Sequence, residues 1–330
     1  MKKTLAQWAL DVWYKDSKIA LLLVPLSIVF SGMVRVRKFL YQRGLFKSHR
    51  LSVPVIVVGN ISVGGTGKTP LVIWLARLLK DAGYRPGIIS RGYGGEAKSW
   101  PQWVDANSDV SQVGDEALLI AGATHCPMAV APSRVAAANL LISQSDCNVL
   151  ISDDGLQHYA LNRTIEIAVI DGERRFGNGY CLPAGPLREP MSRLQAVDFV
   201  VVNGEKKLSH EFSMRLAGDT LINLLTGEQK PLQEFQQIGC HALAGIGNPE
   251  RFFKVLATAG LPCTLHRFPD HYRYQRHDID FGDDKPVLMT EKDAVKCRQL
   301  ASQQHWYLPV QAQLAPDFAK QLLTTLREKT

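Results

Sequence analysis

One segment of the sequence combines glycines, a lysine and a hydroxyl side chain at a spacing that suits phosphate binding. In order, it consists of Ser62, Val63, Gly64, Gly65, Thr66, Gly67, Lys68 and Thr69. Glycines let backbone N–H groups turn inward around phosphate oxygens, and a following helix adds the partial positive charge of its N-terminus. The lysine of such a loop contacts the β- and γ-phosphates, and the hydroxyl after it ligates Mg²⁺. The segment therefore predicts a phosphate-binding loop (P-loop) of the G-G-x-G-K-[ST] variant, because Ser62 replaces the first glycine of the usual motif.

A pair of adjacent acids is the second candidate for chemistry. Asp153 and Asp154 follow the apolar residues 149–151 and precede Gly155. P-loop enzymes orient Mg²⁺ with a carboxylate that an apolar strand delivers at its C-terminal end. Ordinary turn chemistry is the alternative, since Asp-Asp-Gly also favours a turn. The glycine loop upstream favours the metal site.

Four further groups of polar residues are weaker candidates when each is taken alone. Asp115 follows a glycine at a predicted loop-to-helix junction, where it could act on a substrate or only cap the helix. Arg188 and Glu189 lie in a proline-flanked turn, where an incidental surface ion pair is the alternative. His271 lies on a polar segment, where a histidine is more often structural or solvated. Residues 290–293 follow an apolar run, and contact with a nucleotide or a helix cap would explain them equally well.

The elements that must position these residues follow from the hydrophobic pattern. The apolar residues 53–58 predict a buried strand before the glycine loop, and helical spacing from Pro70 to Gly83 predicts a helix after it. Further strands are predicted at residues 85–90, 127–131, 148–152, 165–170 and 198–202, with helical patterns between some of them. This alternation predicts an α/β fold of the P-loop NTPase type. Its doubly wound, mostly parallel sheet would bind ligands at the carboxyl ends of the strands.

The pattern divides the chain into four parts. Residues 1–50 form a basic and apolar segment, and residues 51–203 form the P-loop core. Periodicity weakens over residues 204–237, which we predict to be a connecting region. Residues 238–330 contain three more apolar runs and two helical patterns, which predict a smaller C-terminal α/β lobe.

The first 50 residues differ from the rest of the chain in charge. They hold ten Lys or Arg and two Asp or Glu, although the whole chain has a formal net charge of only +7. Residues 19–30 are apolar, and the cations around them are Lys15, Lys18, Arg35, Arg37 and Lys38. Even extended to Val34 this run is shorter than the roughly 20 residues that span a bilayer, and Pro25 and Gly32 interrupt it. We therefore predict a helix in an anionic membrane interface and peripheral attachment, with an ordinary buried helix as the alternative.

Composition narrows the classes of function. An apolar fraction of 46% and a charged fraction of 21% are those of a folded globular protein. Beyond residue 50 the acidic and basic residues nearly balance, which argues against a nucleic-acid-binding surface. The cysteines have no C-x-x-C spacing, which predicts reduced cytosolic thiols rather than a zinc site: Cys126, Cys147, Cys181, Cys240, Cys263 and Cys297. No pattern indicates an obligate protein partner.

Taken together, the motifs resemble those of the tetraacyldisaccharide 4′-kinase family, the lipid A 4′-kinases of Gram-negative bacteria. The matching segments are VGNISVGGTGKTP at 58–70, SRGYGG at 90–95, VGDE at 113–116, ISDDGLQH at 151–158, PAGPLREP at 183–190, FPDH at 268–271 and TEKDAVK at 290–296. They follow the family's order over most of the chain, and the basic, apolar N-terminus agrees with the family as well. The one variation is mild: Leu156 is the hydrophobic residue of the D-D-G-x-Q-H motif.

The resemblance implies an activity and a location. It implies transfer of the γ-phosphoryl group of ATP, with Mg²⁺, to the 4′-hydroxyl of a tetraacylated glucosamine disaccharide 1-phosphate in lipid A biosynthesis. The acceptor's acyl chains must stay in lipid while its sugar reaches the nucleotide. We therefore expect a peripheral enzyme at the cytoplasmic face of the bacterial inner membrane.

The resemblance also implies a set of active-site residues. Those for ATP and Mg²⁺ are Lys68, Thr69, Asp153 and Asp154. Asp115 would accept the hydroxyl proton, with His271 as its partner, while Arg188 and Glu189 would complete the active site. These roles agree with the chemistry, because phosphoryl transfer depends mainly on positioning, neutralised charge and an oriented nucleophile.

Two other functions compete with this prediction. A nucleotide-switched, membrane-associated assembly ATPase or GTPase would use the same P-loop variant without a base for an acceptor hydroxyl. The extra lysine of such proteins would fall at Val63, and its absence disfavours them. A soluble kinase for a small metabolite would leave the N-terminal segment unexplained.

Overall fold

A computed structural model describes residues 5–15 and 17–330, so residues 1–4 and 16 of the predicted N-terminal segment lie outside the described residues. The first eight strands are β1 (Val55–Gly59), β2 (Pro86–Ser90), β3 (Gln102–Val104), β4 (Met128–Val130), β5 (Val149–Asp153), β6 (Ile165–Asp171), β7 (Phe199–Asn203) and β8 (Glu211–Ala217). They form one sheet in the order β8-β7-β6-β1-β5-β2-β4-β3. Neighbouring strands in this order are parallel, except that β3 and β4 are antiparallel. The predicted mostly parallel sheet is thus confirmed.

Helices cover both faces of this sheet. In chain order the helices are α1 (Leu5–Tyr14), α2 (Lys18–Gln42), α3 (Lys68–Asp81), α4 (Val110–Val113), α5 (Asp115–Thr124), α6 (Arg134–Gln144), α7 (Pro249–Thr258), α8 (Arg276–Ile279), α9 (Glu291–Cys297) and α10 (Pro316–Lys329). Short 3-10 turns occur at Met191–Ala196, Leu232–Phe235 and Arg298–Leu300. One face packs against α3, α5 and α10, and the other packs against α6 and part of α2.

The element that carries the P-loop lies at the centre of the sheet. Strand β1 pairs with β5 on one side and with β6 on the other, and all five of its residues are buried. Leu71, Leu75 and Leu79 recur every four residues along α3 and are fully buried, so this helix has a continuous apolar face toward the core. The strand and the helix predicted around the glycine loop therefore both form.

A second sheet forms the smaller lobe. Its strands are β9 (Thr220–Asn223), β10 (Gln229–Pro231), β11 (Cys240–Ala244), β12 (Cys263–Arg267), β13 (Val287–Thr290) and β14 (His305–Leu308), in the order β10-β9-β14-β13-β11-β12. Strands β11 to β14 pair in parallel. Apolar side chains of α7 and α9 pack against them.

The chain then returns to the larger sheet, which corrects two predicted boundaries. The last strand, β15 (Gln311–Leu314), pairs antiparallel with β8, and Gln311 lies opposite Ala217. Helix α10 follows and buries Phe318, Leu322 and Leu326 in the larger core. Residues 311–329 were therefore wrongly placed in the smaller lobe. The predicted connecting region is divided as well, because β8 belongs to the larger sheet and β9 and β10 belong to the smaller one.

The N-terminal helix is longer than the sequence pattern predicted. Helix α2 runs without interruption for 25 residues through Pro25 and Gly32, because one missing backbone hydrogen bond and one glycine do not outweigh the helical residues around them. Among the described residues it is the one helix with the length and apolar composition to cross a membrane. Most of its apolar side chains are exposed, whereas Ala20 and Ser27 are buried against the body of the protein.

Candidate active site

A cavity of about 1350 Å³ lies between the two lobes. The larger lobe lines it with the P-loop and with residues at the carboxyl ends of β2, β5 and β7. The smaller lobe lines it with residues that follow β11, β12 and β13. Two parallel arrays of strands thus present their carboxyl ends to one cavity, which is where α/β sheets bind ligands.

The P-loop has the backbone conformation that phosphate binding needs. Gly64 and Gly67 have φ angles of 107° and 96°, in the left-handed region that favours glycine. A Cβ atom on Gly67 would lie 2.5 Å from Asn203 Nδ2, the amide that donates a hydrogen bond to the carbonyl of Thr66. All predicted loop residues from Val63 to Thr69 line the cavity. Ser62 does not line it, because it is buried in a β-bridge to Leu187.

Lys68 begins α3 and faces Asp154 across the floor of the cavity. Lys68 Nζ lies 3.5 Å from Asp154 Oδ1, and Arg188 Nη1 donates to Asp154 Oδ2 at 3.2 Å. Burial raises the pKa of Asp154, but the charges of Lys68 and Arg188 outweigh this and hold the pKa below its usual value. Asp154 therefore keeps two cations together at the P-loop end of the cavity.

Asp153 occupies a different environment although it is the adjacent residue. It is 1% exposed, its Oδ2 accepts a hydrogen bond from Ser90 Oγ at 3.2 Å, and its Oδ1 has no hydrogen-bond partner. Burial, together with the charges of Glu116 and Asp154, raises the pKa of Asp153 to about 7. An unpaired, buried carboxylate oxygen beside the P-loop is a suitable ligand for a hard cation.

The donor set fits Mg²⁺ bound together with a nucleotide. Within the described ranges, no cluster of three or more His, Cys, Asp or Glu side chains could hold a metal ion on its own. Mg²⁺ does not require such a cluster, because it usually keeps several waters and binds one or two carboxylates together with substrate phosphates. Thr69 on the P-loop and the free oxygen of Asp153 meet this need from the protein side.

The two lobes bring Asp115 and His271 together. Asp115 is the first residue of α5 in the larger lobe, and His271 follows β12 in the smaller lobe. His271 Nδ1 lies 3.0 Å from Asp115 Oδ2 and 3.1 Å from Oδ1. The His271 ring also packs on the ring of Tyr93, with centroids 4.8 Å apart. The sequence alone left Asp115 open as a helix cap, and the structure pairs it with a residue of the opposite lobe.

Close backbone packing places Asp115 at this position. The residue before it, Gly114, has a φ angle of 89°, and a Cβ atom there would lie 2.3 Å from the carbonyl oxygen of Tyr93. Gly95 makes a similar close approach to the carbonyl of Gln112. The glycines of the predicted SRGYGG and VGDE motifs therefore let these two segments pack directly against each other.

The pKa values of the pair favour an ion pair. Burial raises the pKa of Asp115, but the hydrogen bond from His271 and the charge of Lys292 outweigh it, so the pKa lies below its usual value. The same hydrogen bond raises the pKa of His271, against burial and Lys292. Asp115 is thus ionised at neutral pH. It is 5% exposed and does not itself line the cavity, whereas His271 and the next residue, Glu116, do.

Glu189 lies behind the cavity rather than in it. Its carboxylate is 1% exposed and accepts hydrogen bonds from Gln157 Nε2, at 3.0 Å, and from the Tyr159 hydroxyl. Arg193 lies 3.7 Å from it. Of the predicted pair, only Arg188 lines the cavity, together with Gln157. Glu189 therefore contacts residues that face the cavity, and it does not face the cavity itself.

A group of cations at one end of the cavity was not identified from the sequence. We define the arginine cluster as Arg37, Arg91 and Arg134, which line the cavity around His158. Burial lowers the pKa of His158 to about 4, with further lowering by nearby arginines, so this histidine is neutral at pH 7. His158 Nε2 and Arg134 Nε are buried without a hydrogen-bond partner in the described structure. The arginine cluster is therefore suited to an anionic group.

Comparisons with known proteins find one family. A family model described as tetraacyldisaccharide-1-P 4′-kinase (LpxK) matches residues 19–327. The chain is 53% identical to the tetraacyldisaccharide 4′-kinase of Nitrosococcus oceani over 97% of this chain and 94% of that protein. It is 50% identical to the enzyme of that name from Alkalilimnicola ehrlichii, over 92% and 91% of the two chains. Among solved structures, LpxK from Aquifex aeolicus in complex with ATP is similar, with a TM-score of 0.79 and 30% identity over 93% of this chain and 99% of that one.

Proposed function

The chain belongs to the tetraacyldisaccharide-1-P 4′-kinase family, and we propose that Asp115, held by His271, is the base of its reaction. The protein is an ATP-dependent kinase that phosphorylates the 4′-hydroxyl of a tetraacylated glucosamine disaccharide 1-phosphate in lipid A biosynthesis. In the transfer, the 4′-oxygen forms a bond to the γ-phosphorus while the bond from this phosphorus to the leaving oxygen of ADP breaks. The proton of the 4′-hydroxyl passes to the carboxylate of Asp115.

The pairing of Asp115 with His271 carries this proposal. Asp115 is ionised and 5% exposed, and its partner His271 lines the cavity. An ionised carboxylate at this edge of the cavity supports a base that orients the hydroxyl and takes its proton as the bond to phosphorus forms. His271 hydrogen-bonds both carboxylate oxygens, which fixes the carboxylate and stabilises its negative charge. Because the two residues belong to different lobes, the base is complete only when the lobes meet.

Charge on the nucleotide is neutralised from the floor of the cavity. Lys68, at the end of the glycine loop, would contact the β- and γ-phosphates, and Arg188, held with it by Asp154, would add a second cation near them. Thr69 and Asp153 are the protein ligands that we assign to Mg²⁺, with Asp154 as their neighbour. When bound, Mg²⁺ would supply neutralisation of charge that develops on the phosphates.

The arginine cluster supports a role in binding the acceptor. The disaccharide carries a phosphate at its 1-position, and Arg37, Arg91 and Arg134 present cations toward the cavity around a neutral histidine. Arg37 comes from α2, the same helix whose exposed apolar face is suited to lipid. An acceptor with acyl chains in lipid and its phosphate on this cluster could extend its second sugar toward Asp115.

We further propose peripheral attachment to the cytoplasmic face of the inner membrane. Ser27, in the middle of α2, donates a hydrogen bond to the carbonyl of Cys181 at 2.7 Å and accepts one from the Ala184 N–H at 2.9 Å. If α2 crossed the bilayer, this loop of the soluble body would be drawn to the membrane centre. A helix along the membrane surface avoids this, and the exposed Leu21, Leu22 and others would enter the lipid.

One assay tests the proposed reaction. ADP release and phosphate incorporation into the lipid acceptor are measured in parallel, with ATP alone and with ATP plus acceptor. We expect ADP release to require acceptor, and Asp115→Asn to reduce transfer about 10²–10⁴-fold with ATP affinity unchanged. Equal ADP release with and without acceptor would instead support a nucleotide-switched ATPase. Full activity of Asp115→Asn would exclude Asp115 as the base.

A further inference from the structure

A buried lysine of the smaller lobe lies among the neighbours of the proposed base. Lys292 is the second residue of α9, and its side chain is 14% exposed. Its Nζ lies 2.9 Å from Glu116 Oε1 and 3.1 Å from Asp270 Oδ1, and it lies 3.9 Å from Asp115 Oδ2. Three carboxylates from two lobes thus converge on one ammonium group.

The two closest of these carboxylates are the chain neighbours of the proposed catalytic pair. Glu116 follows Asp115 on α5, and Asp270 precedes His271 on the loop after β12. The ammonium group therefore ties the first turn of α5 to the loop that carries the histidine. The ε-ammonium has three donors, which is enough to bond both carboxylates at once.

We propose that Lys292 is a positioning residue that assembles the Asp115–His271 pair by fastening Glu116 and Asp270 to each other. The proposal rests on the proposed function, because it gives Lys292 a role only through Asp115 and His271. Lys292 itself has no part in proton transfer.

Burial strengthens the contact of Lys292 with Glu116 and Asp270. An unpaired buried ammonium would be unfavourable, so Lys292 is stable at this position only while the carboxylates of both segments surround it. Burial lowers the pKa of Lys292, but Glu116, Asp115 and Asp270 outweigh it and raise the pKa above its usual value. The lysine is therefore charged at every pH at which the enzyme would work.

A cycle of variants tests the proposal in the full-length enzyme, with ATP and lipid acceptor in detergent micelles. We expect Lys292→Met to lower kcat about 10²-fold, since a misplacement of about 1 Å can have that effect, with the KM for ATP changed less than about threefold. His271→Ala should lower kcat in the wild-type background but hardly at all in the Lys292→Met background. Lys292→Arg, which can still bond two carboxylates, should recover most of the activity.

Two further variants separate positioning from folding. Asp270 is 38% exposed at its side chain, so Asp270→Ala removes one arm of the contact with little risk to folding. In the Lys292→Met background, Asp270→Ala should have only a small effect on kcat. Arg273→Met is the matched control, because Arg273 pairs with Glu96 of the larger lobe at 2.5 Å while both side chains are about 70% exposed. We expect it to leave kcat unchanged.

The pH profile supplies a readout that a purely structural role would not move. The charged or titratable groups around Asp115 are Glu116, Asp270, His271, Lys292, Lys296 and, beyond the histidine ring, Tyr93. Without Lys292 the pKa of Asp115 should rise, and the acid limb of kcat should move to higher pH. If the double variant lost activity by the product of the two single losses, the positioning role of Lys292 would be overturned, while Asp115 could still be the base. Near-normal activity of both Asp115→Ala and His271→Ala would overturn the base and the positioning role together.

Discussion

Asp153 and Asp154 are adjacent in the chain but differ in charge behaviour because their side chains face different neighbours. Asp154 has φ +47°, in the left-handed region, which turns its carboxylate toward Lys68 and Arg188. Asp153 continues the extended strand, and its carboxylate meets Ser90 and no cation at hydrogen-bond distance in the described structure. One carboxylate thus binds protein cations, and the other has an oxygen without a hydrogen-bond partner, which is the oxygen that we propose for Mg²⁺.

The P-loop lysine is the first residue to test. We expect Lys68→Ala to lower phosphoryl transfer by at least about 10²-fold with an intact fold, because a cation on the transferring phosphates is lost while no core residue changes. Steady-state kinetics measure the loss, and far-UV circular dichroism checks the fold. Lys320→Ala, at an exposed site on α10, is the control and should behave as wild type. Near-normal turnover by a folded Lys68→Ala enzyme would rule out the P-loop assignment.

The pH dependence expected of the proposed base, Asp115, follows from its hydrogen bond with His271. This bond lowers the pKa of Asp115, so removing it in His271→Ala must raise that pKa. At a given acidic pH a smaller fraction of Asp115 is then ionised, and the acid limb of kcat should move to higher pH. Profiles from about pH 5 to 9 for both enzymes measure the shift. An unmoved acid limb would mean that another group limits the reaction there.

Some site residues were predictable and others were not, for a physical reason. Lys68 and Thr69 stand out because a glycine loop, its cation and its hydroxyl are neighbours in sequence. The arginine cluster brings Arg37 of α2 next to His158, and only tertiary packing can do so. The same holds for Asp115 and His271, which are predicted as a pair by family resemblance and not by any local pattern.

At the scale of single elements, α2 has two faces with different surroundings. Ser27, Phe30 and Arg37 face the protein, through hydrogen bonds, core packing and the ring of Tyr159. Leu22, at 80% exposed, belongs to the opposite, apolar face. The cations of this helix should therefore differ in their effects on vesicle binding and on the KM for the acceptor.

Replacing two of these arginines separately tests this distinction. Arg35 is exposed and does not line the cavity. Arg35→Gln should therefore weaken binding to anionic vesicles about fivefold, which corresponds to a loss of about 1 kcal/mol. It should leave the KM for the acceptor in micelles unchanged. Arg37→Gln should also raise acceptor KM in micelles, while the KM for ATP stays constant. Vesicle flotation at low and high salt and micellar kinetics measure the two effects. Identical behaviour of the two variants would contradict a two-faced helix.

Local patterns explain why most elements were predicted and why α2 was misjudged. A buried parallel strand such as β5 is an apolar run that ends in a turn signal, which is easily recognised. Pro25 and Gly32 are usually signals of helix ends, but here the helix continues on both sides of them. The length of the apolar run therefore gave too short an estimate of helix α2.

At the scale of the whole molecule, the smaller lobe is an insertion in a hairpin. Strands β8 and β15 are antiparallel neighbours, and the chain between them forms the smaller lobe. This could not be predicted from the sequence, because β15 is a strand of four residues whose partner lies almost a hundred residues earlier. The amphipathic pattern of α10 indicates a helix but not the lobe that it covers.

Phe318 on α10 tests which lobe the C-terminus stabilises. Its ring lies 5.0 Å from that of Phe212 and 5.5 Å from those of Trp74 and Phe199, between centroids, and it is fully buried. We expect Phe318→Ala to lower the free energy of unfolding by about 3–5 kcal/mol. Hydrogen exchange should show faster exchange in α3 and β7 and little change in β11 to β14. Leu225→Ala, at an exposed turn of the smaller lobe, is the control, and a loss of protection confined to the smaller lobe would contradict the assignment.

The hairpin also determines where the smaller lobe is attached to the larger one. Both connections leave from β8 and β15, two adjacent strands at one edge of the larger sheet. Asp115 and His271 belong to different lobes, so any rotation of the smaller lobe about these two connections would change their separation. If the proposed base is correct, catalytic competence would depend on the angle between the two lobes. A compound that holds the two lobes apart by a few degrees would then inhibit the enzyme without contacting any phosphate-binding residue.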